Sequence, residues 1–120
     1  MKFYKCNKCG KIVTLINETS VPTICCGEAM SEIVAGTVEA SREKHIPVYT
    51  VNGDLVEVIV GAVEHPMTVE HFIEWVVVET KCGYQIKYLK PNTLPKVEFK
   101  VNEEILSVYA YCNLHGLWKA

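Results

Sequence analysis

Hydrophobic and polar residues alternate along most of the chain from Ile46 onward, with the two-residue period of β-strands. Two such segments, "IPVYTV" and "LVEVIVG", flank an Asn-Gly pair at 52–53, which tolerates the positive φ of a tight turn. Further alternating segments flank the turns at 81–83 and 102–103. The pattern predicts three successive hairpins, no long helix, and an antiparallel β-sandwich or barrel.

The beginning of the chain has a different character. Apolar residues are sparse from Met1 to about Ala35, and four of the six cysteines lie in this part. A segment this short and polar cannot bury enough apolar surface to fold without a staple. The stretch "AGTVEASREKH" then forms a predicted connection. We therefore predict two domains, at 1–35 and 36–120.

Composition and charge narrow the function classes. The chain of 120 residues is 49% hydrophobic and 22% charged, with a net charge of −2, which is ordinary for a globular protein. Lysine and arginine are scattered, so no basic patch predicts nucleic-acid binding. The N-terminus has no apolar signal core, and the apolar runs are too short to span a bilayer. These features predict a cytoplasmic protein, where cysteines bind metals more often than they form disulfides.

Four cysteines are spaced as metal ligands. "CNKC" is followed by fifteen residues and then "CC", which gives the ligand candidates Cys6, Cys9, Cys25 and Cys26. A C-x-x-C turn aims both sulfurs at one ion, and Gly10 opens the backbone after it. The adjacent pair is less usual, because neighbouring side chains must turn toward the same ion. Four sulfurs suit zinc or iron, so a zinc staple that only folds the module remains an alternative.

The second part of the chain contains all four histidines and a further candidate thiolate. His45, His65 and His71 lie at or beside the ends of predicted strands, where the loops of a sandwich gather. His65 and His71 are too far apart along a straight strand to share an ion, so the chain must fold back between them. Pro66 breaks strand pairing at this point.

The stretch "YAYCNLHGLWKA" at the end of the chain adds Cys112 and His115. Residues three apart in a strand face opposite sides, so these two can share an ion only if the backbone curls between them, as Gly116 permits. Five donors exceed the four of a structural zinc site and indicate iron with an open sixth position. A thiolate opposite that position would favour redox chemistry on a small oxygen ligand. Lys44 could attract a small anion, although a solvated charged turn is the alternative interpretation.

Taken in order, "CNKC", "CCGEAM", "EKHIPV", "HPMTVEHFIEW" and "YCNLHGLW" resemble the desulfoferrodoxin family, the two-iron class of superoxide reductase. The resemblance covers essentially the whole chain. It implies an all-β protein in which a small desulforedoxin-like metal-binding module is followed by an immunoglobulin-like antiparallel β-sandwich. The first would hold an Fe(Cys)₄ centre and the second an Fe(His)₄(Cys) centre. The implied ligands are Cys6, Cys9, Cys25 and Cys26 for one iron, and His45, His65, His71, Cys112 and His115 for the other.

The resemblance also implies an activity and two catalytic residues. Glu43 would occupy the sixth position of ferric iron, and Lys44 would steer superoxide and organise water for protonation. The family reaction reduces superoxide to hydrogen peroxide with electrons from rubredoxin or a similar donor. Family members are typically homodimers in the cytoplasm of anaerobic or microaerophilic microbes.

Two other functions compete with this hypothesis. A non-haem iron electron carrier would use both irons without turning over superoxide, but it would gain from closed coordination rather than an open position. A metal-stapled structural or interaction domain would explain the cysteine quartet but not five further ligands. Cys82 matches neither site and is interpreted as an unliganded thiol in a turn.

Overall fold

The computed structural model describes residues 1–120, and the chain divides into two compact units, Met1–Val34 and Ala35–Ala120. Both units are built from antiparallel strands, and a single helical turn, α1 (Arg42–His45), lies in the second. The predicted all-β class is confirmed. No helix has the length and apolar character that crossing a bilayer would require.

The first unit is small and held by short strands. It contains β1 (Phe3–Lys5), β2 (Ile12–Thr14), β3 (Ile24–Cys25), β4 (Glu28–Ala29) and β5 (Ser31–Ile33). Strand β1 lies between β2 and β5 in one sheet, and β3 pairs with β4 in a separate hairpin. Few of its side chains are buried, among them Phe3, Cys6 and Met30. So little apolar burial is consistent with a module whose stability depends on a bound metal.

The second unit is a sandwich of two antiparallel sheets. Its strands are β6 (Pro47–Asn52), β7 (Leu55–Val60), β8 (Ile73–Thr80), β9 (Gly83–Tyr88), β10 (Lys96–Lys100), β11 (Ile105–Cys112) and β12 (Gly116–Lys119). The order is β10-β7-β6 in one sheet and β12-β11-β8-β9 in the other. Alternate residues of these strands form the buried core, including Val56, Val58, Val60, Val76, Val78, Val108 and Ala110. β-Branched side chains fit this pleated, buried surface.

Two of the three predicted hairpins are confirmed. Strands β6 and β7 pair with Asn52 opposite Leu55, so the turn residues are Gly53 and Asp54, one position later than the predicted pair. Gly53 has a φ of 63° there, which glycine adopts without steric cost. Strands β8 and β9 pair up to Thr80 opposite Gly83, so the predicted hairpin is present, with Lys81 and Cys82 as its turn and Gly83 as the first residue of β9.

The third hairpin prediction is wrong. Strand β10 pairs with β7, and β11 pairs with β8, so the connection at 101–104 crosses from one sheet to the other. The backbone N–H of Val101 donates to the Asp54 carbonyl over 2.7 Å and keeps the end of β10 in the first sheet. Alternation identifies each strand and its inward face, but it carries no information about which strand lies beside it.

Candidate functional site

The four cysteines of the first unit converge. The sulfurs of Cys6, Cys9, Cys25 and Cys26 all lie within 4.8 Å of one another, and all are free thiols. Neighbouring sulfurs are 3.7 Å apart for Cys9 and Cys25 and 4.0 Å apart for Cys25 and Cys26. A tetrahedral ion with metal–sulfur bonds of about 2.3 Å separates its sulfurs by about 3.8 Å. The donor set and its spacing therefore fit one tetrahedral S₄ metal centre.

Two turns bring these sulfurs together. In the first, the Gly10 N–H donates to the Cys6 carbonyl over 3.0 Å and the Cys9 N–H approaches the Cys6 sulfur at 3.4 Å, with Gly10 at a φ of 80°. In the second, Cys26 and Gly27 both have positive φ, at 53° and 79°. Such a φ is uncommon for a residue with a Cβ, and it is how adjacent cysteines face the same centre.

The pKa values of these thiols differ from one another. The backbone N–H of Cys9 lowers the pKa of the Cys6 thiol to about 6, which favours its thiolate form. Hydrogen bonds with the sulfurs of Cys6 and Cys9 raise the pKa of Cys25 to about 12. A metal ion at the centre replaces these shared protons, because only deprotonated sulfur binds it.

The second cluster lies at the end of the sandwich where several strands and loops meet. The donor atoms of His45, His65, His71 and Cys112 lie within 4.8 Å of one another. His45 ends α1, His65 and His71 lie in the connection between β7 and β8, and Cys112 ends β11. The predicted return of the chain between His65 and His71 is present, since the imidazole centroids are 4.7 Å apart.

His115 lies against this cluster. Its Nδ1 is 3.1 Å from His45 Nε2 and 3.9 Å from Cys112 Sγ, and His45 Nε2 is 3.2 Å from His65 Nε2. Two nitrogens bound at right angles to one ion at about 2.1 Å would be about 3 Å apart. The spacing of these imidazole nitrogens therefore fits a shared metal ion better than a set of independent side chains.

Backbone carbonyls orient two of the imidazoles. His45 Nδ1 lies 2.6 Å from the Ser41 carbonyl oxygen, and His65 Nδ1 lies 2.6 Å from that of Pro66. A proton on Nδ1 that donates to a carbonyl leaves the Nε2 lone pair free for a metal. Burial lowers the pKa of both rings, to about 4 for His65. Both histidines are consequently neutral near pH 7, as metal ligands must be.

His71 differs from them because its Nε2 is buried without a hydrogen-bond partner. Native proteins rarely leave a buried polar atom unsatisfied, since the lost solvation costs about 1–3 kcal/mol. His71 is a member of the His/Cys cluster, and a metal ion bound there would satisfy this nitrogen. This orphaned nitrogen is the most direct structural indication of a metal at this position.

The curl predicted between Cys112 and His115 is confirmed. Cys112 pairs with Gly116 across the β11–β12 turn, and Gly116 has a φ of 75°. Cys112 is fully buried, and burial raises the pKa of its thiol, while the backbone N–H groups of His115 and Leu114 lower it. These two N–H groups hydrogen-bond the sulfur and will stabilise a thiolate once a cation lies beside it.

Trp118 supports the imidazoles from one side. Its indole Nε1–H donates to the His115 carbonyl over 3.0 Å, and its ring lies 4.9 Å from the His45 ring between centroids. Trp118 is almost completely buried, so the indole both fixes the turn and excludes water behind His45.

Glu43 and Lys44, the two predicted catalytic residues, precede His45 in α1 and have exposed side chains. Burial lowers the pKa of His45 and His71, and the positive charge of Lys44 lowers both further. The ammonium group therefore acts electrostatically on both rings. The Glu43 side chain makes no hydrogen bond or ion pair with the cluster, whereas its backbone carbonyl accepts the Val63 N–H at 3.0 Å.

No sequence pattern marked Asn113 as a functional residue. Its side chain joins the β11–β12 turn to the residues on both sides of His71. Asparagine commonly hydrogen-bonds backbone in turns, and its place in "CNLH" between two ligand candidates is the only indication that the sequence offers.

A sandwich with a His₃Cys cluster, joined to a four-cysteine module, defines a class of non-haem metalloprotein with two metal centres. The Desulfoferrodoxin family model matches residues 37–120, and the model of the desulfoferrodoxin N-terminal domain matches residues 1–33. The chain belongs to the desulfoferrodoxin family. Its two clusters match the two iron centres of desulfoferrodoxin-type superoxide reductases.

Individual relatives span both units. The chain is 42% identical to a desulfoferrodoxin homolog of Archaeoglobus fulgidus, over all of this chain and 96% of that protein. It is 40% identical to a desulfoferrodoxin of Nitratidesulfovibrio vulgaris, over 99% of this chain and 94% of that one. The crystal structure of the superoxide reductase from Treponema pallidum is similar with a TM-score of 0.83 and 37% identity, covering 99% of this chain and 97% of that one.

Proposed function

We propose that the protein is a superoxide reductase that converts superoxide to hydrogen peroxide with electrons from rubredoxin or a similar donor. The observation that carries this proposal is the orphaned, buried Nε2 of His71 within a cluster of neutral imidazoles and a buried cysteine. The similarity to the Treponema pallidum superoxide reductase over nearly the whole chain supports it. The balanced reaction consumes one superoxide, one electron and two protons for each hydrogen peroxide.

Iron is the metal that this donor set suits. Thiolate and imidazole together favour zinc, copper or iron, and only iron among these adds ready one-electron chemistry to a preference for more than four ligands. When bound, iron would supply the single electron that reduces superoxide. We propose that His45, His65, His71, Cys112 and His115 hold this iron, and that Cys6, Cys9, Cys25 and Cys26 hold the second.

Lys44 and Glu43, which precede His45 in α1, would act during substrate binding and product release. Superoxide is a small anion, and the positive charge of Lys44, which acts on His45 and His71, would attract it. As an exposed ammonium, Lys44 can also hold the water that delivers protons. Glu43 would bind at the open position after the product leaves. Its backbone carbonyl accepts the Val63 N–H, whereas its exposed side chain makes no hydrogen bond or ion pair that would compete with this role.

Assembly and location complete the proposal. We infer a homodimer in the cytoplasm of an anaerobic or microaerophilic microbe, with domains at 1–35 and 36–120. The iron of the four-cysteine module would transfer electrons. The second centre could still reduce superoxide if that iron were lost.

The reaction itself is tested by mixing the chemically reduced protein with superoxide generated by pulse radiolysis. We expect hydrogen peroxide without dioxygen, one peroxide for each oxidised His/Cys iron. Cys112→Ser should abolish the thiolate-to-iron absorption band and most of the turnover, because serine replaces a soft donor with a harder one. If the reduced protein transfers electrons to a carrier but leaves superoxide unconsumed, it is an electron carrier and the proposal is wrong.

A further inference from the structure

We propose that Asn113 is a positioning residue, which holds His71 in the ligand set by fastening its backbone to the turn that contains Cys112. The inference rests on the metal centre of the proposed function, but not on the reaction with superoxide. It concerns a side chain whose hydrogen bonds go to backbone atoms and not to a ligand ring.

His71 requires such support more than its neighbours do. The rings of His45 and His65 are each held by a backbone carbonyl at 2.6 Å. His71 has no such carbonyl, and its Nε2 is buried without a partner. Its ring orientation therefore depends on the position of its own backbone and on packing against the neighbouring imidazoles.

Asn113 fixes that backbone on both sides. Its Oδ1 accepts the Phe72 N–H at 2.9 Å, and its Nδ2 donates to the Glu70 carbonyl at 2.9 Å. The Asn113 backbone N–H also donates to the Phe72 carbonyl at 3.2 Å. Three hydrogen bonds from one residue thus bracket His71, across more than forty positions of sequence.

His71 itself forms hydrogen bonds only with Thr68, within the turn at 68–71. The Thr68 backbone N–H donates to the His71 carbonyl over 2.9 Å, and the His71 N–H donates to Thr68 Oγ1 over 3.1 Å. These contacts shape the turn at 68–71 but connect it to nothing else in the cluster. Asn113 is therefore the residue that couples this turn to Cys112, its sequence neighbour and the proposed thiolate ligand.

The chemistry at position 113 needs a donor and an acceptor on one short side chain. Asparagine has both, aspartate has only the acceptor, and alanine has neither. Asn113→Asp should keep the contact with the Phe72 N–H and lose the one with the Glu70 carbonyl. Asn113→Ala should lose both, so the two variants form a graded series.

The first measurement is the rate at which a chelator removes iron from the His/Cys centre of the full-length protein. We expect release to be about tenfold faster in Asn113→Ala, as when other outer contacts of metal ligands are removed, and intermediate in Asn113→Asp. The four-cysteine centre of the same molecule is an internal control and should release iron at the parent rate. Asn102→Ala, at an exposed asparagine of the same unit, should leave both rates unchanged.

The second measurement uses the metal-free protein and distinguishes positioning from general destabilisation. In Asn113→Ala the ring resonances of His71 should shift or broaden, while those of His65, in the same connection, should stay as in the parent. Parent-like His71 resonances, or equal changes at both rings, would overturn the inference. Parent-like iron release from Asn113→Ala would overturn it as well. A parent that retains iron but makes no peroxide would instead reject the proposed function and leave this inference standing.

Discussion

The Cα of Gly61 lies directly against the backbone of Glu43, so that a Cβ built on Gly61 would stand 2.5 Å from the Glu43 carbonyl oxygen. The same carbonyl accepts the Val63 N–H at 3.0 Å. The glycine thus allows the loop after β7 to pack against α1, which contains Lys44 and His45. Close backbone approach of this kind is possible only where no side chain intervenes.

Gly61→Ala should displace α1 and weaken the His/Cys centre. Overpacking of this kind costs about 1–3 kcal/mol, and the shift would move both the proposed ligand His45 and the lysine beside it. We expect a lower unfolding temperature together with faster iron release and slower superoxide reduction. The measurements are thermal unfolding, chelator kinetics and pulse radiolysis.

Gly53→Ala is the matched control for this substitution. Gly53 has a positive φ and an open surrounding, so alanine there strains the β6–β7 turn without touching the metal site. It should lower the unfolding temperature but preserve iron release and turnover. If Gly61→Ala behaved in the same way as Gly53→Ala, the close contact would have no role in positioning α1.

Cys6→Ser should remove one iron and leave the other. Cys6 belongs to a cluster formed entirely within the first unit, so its loss should not reach the ligands of the second. We expect iron to fall from two ions to one per chain, with the S₄ absorption lost and most superoxide reduction retained. Cys82→Ser, at an exposed thiol outside both clusters, should change neither. Loss of both irons from Cys6→Ser would contradict independent centres.

Lys44→Ala should slow the encounter with superoxide by about two- to fivefold, because one exposed positive charge beside the site is lost. Raising the ionic strength should slow the parent more than the variant, since salt screens an attraction that the variant lacks. The iron spectrum should stay nearly unchanged. Pulse radiolysis at two salt concentrations measures both effects.

Lys81→Ala provides the comparison for Lys44→Ala. Lys81 is also exposed and forms an ion pair with Glu104 at 2.7 Å, at the end of β8 remote from the cluster. Its removal changes the net charge by the same amount but should leave the salt dependence as in the parent. Equal salt slopes for the parent and Lys44→Ala would eliminate steering by this residue.

Acid should destabilise the metal-free protein. Burial lowers the pKa of His65 from 6.5 to about 4, so between these values the unfolded chain binds more protons than the folded one. The free energy of unfolding should therefore be highest above pH 6.5 and fall toward pH 4, by at most about 1.4 kcal/mol per pH unit for this residue. Urea unfolding followed by tryptophan fluorescence reports on the second unit, which contains both Trp75 and Trp118.

His65→Gln isolates this contribution, because glutamine does not titrate. Its unfolding free energy should depend less steeply on pH between 6.5 and 4 than that of the parent, and His45 and His71, whose pKa values are also lowered by burial, should contribute to the slope that remains. An unchanged slope in His65→Gln would show that His65 binds protons equally in the folded and unfolded states. That result would contradict the lowered pKa.

Local sequence was sufficient for the strands and for the types of metal ligand. The two-residue period identifies β7 and β8 because each side chain must face either the core or the outside. Glycine at 10 and 116 marks where the chain turns, since both positions have positive φ. The family resemblance carried by "EKHIPV", "HPMTVEHFIEW" and "YCNLHGLW" then identified the desulfoferrodoxin family, to which the family models also assign the chain.

Tertiary structure decided everything that depends on partners distant in sequence. The hairpin expected between β10 and β11 does not exist, because β10 pairs with β7 and β11 with β8, and hydrophobic alternation is the same for any choice of neighbour. The hydrogen bonds of Asn113 on both sides of His71 could not be predicted from the sequence either. Asn113 contacts Glu70 and Phe72 only after the β-sandwich has formed. Residue types set which metals can bind, whereas the approach of loops from separate strands sets which donor atoms meet at one point.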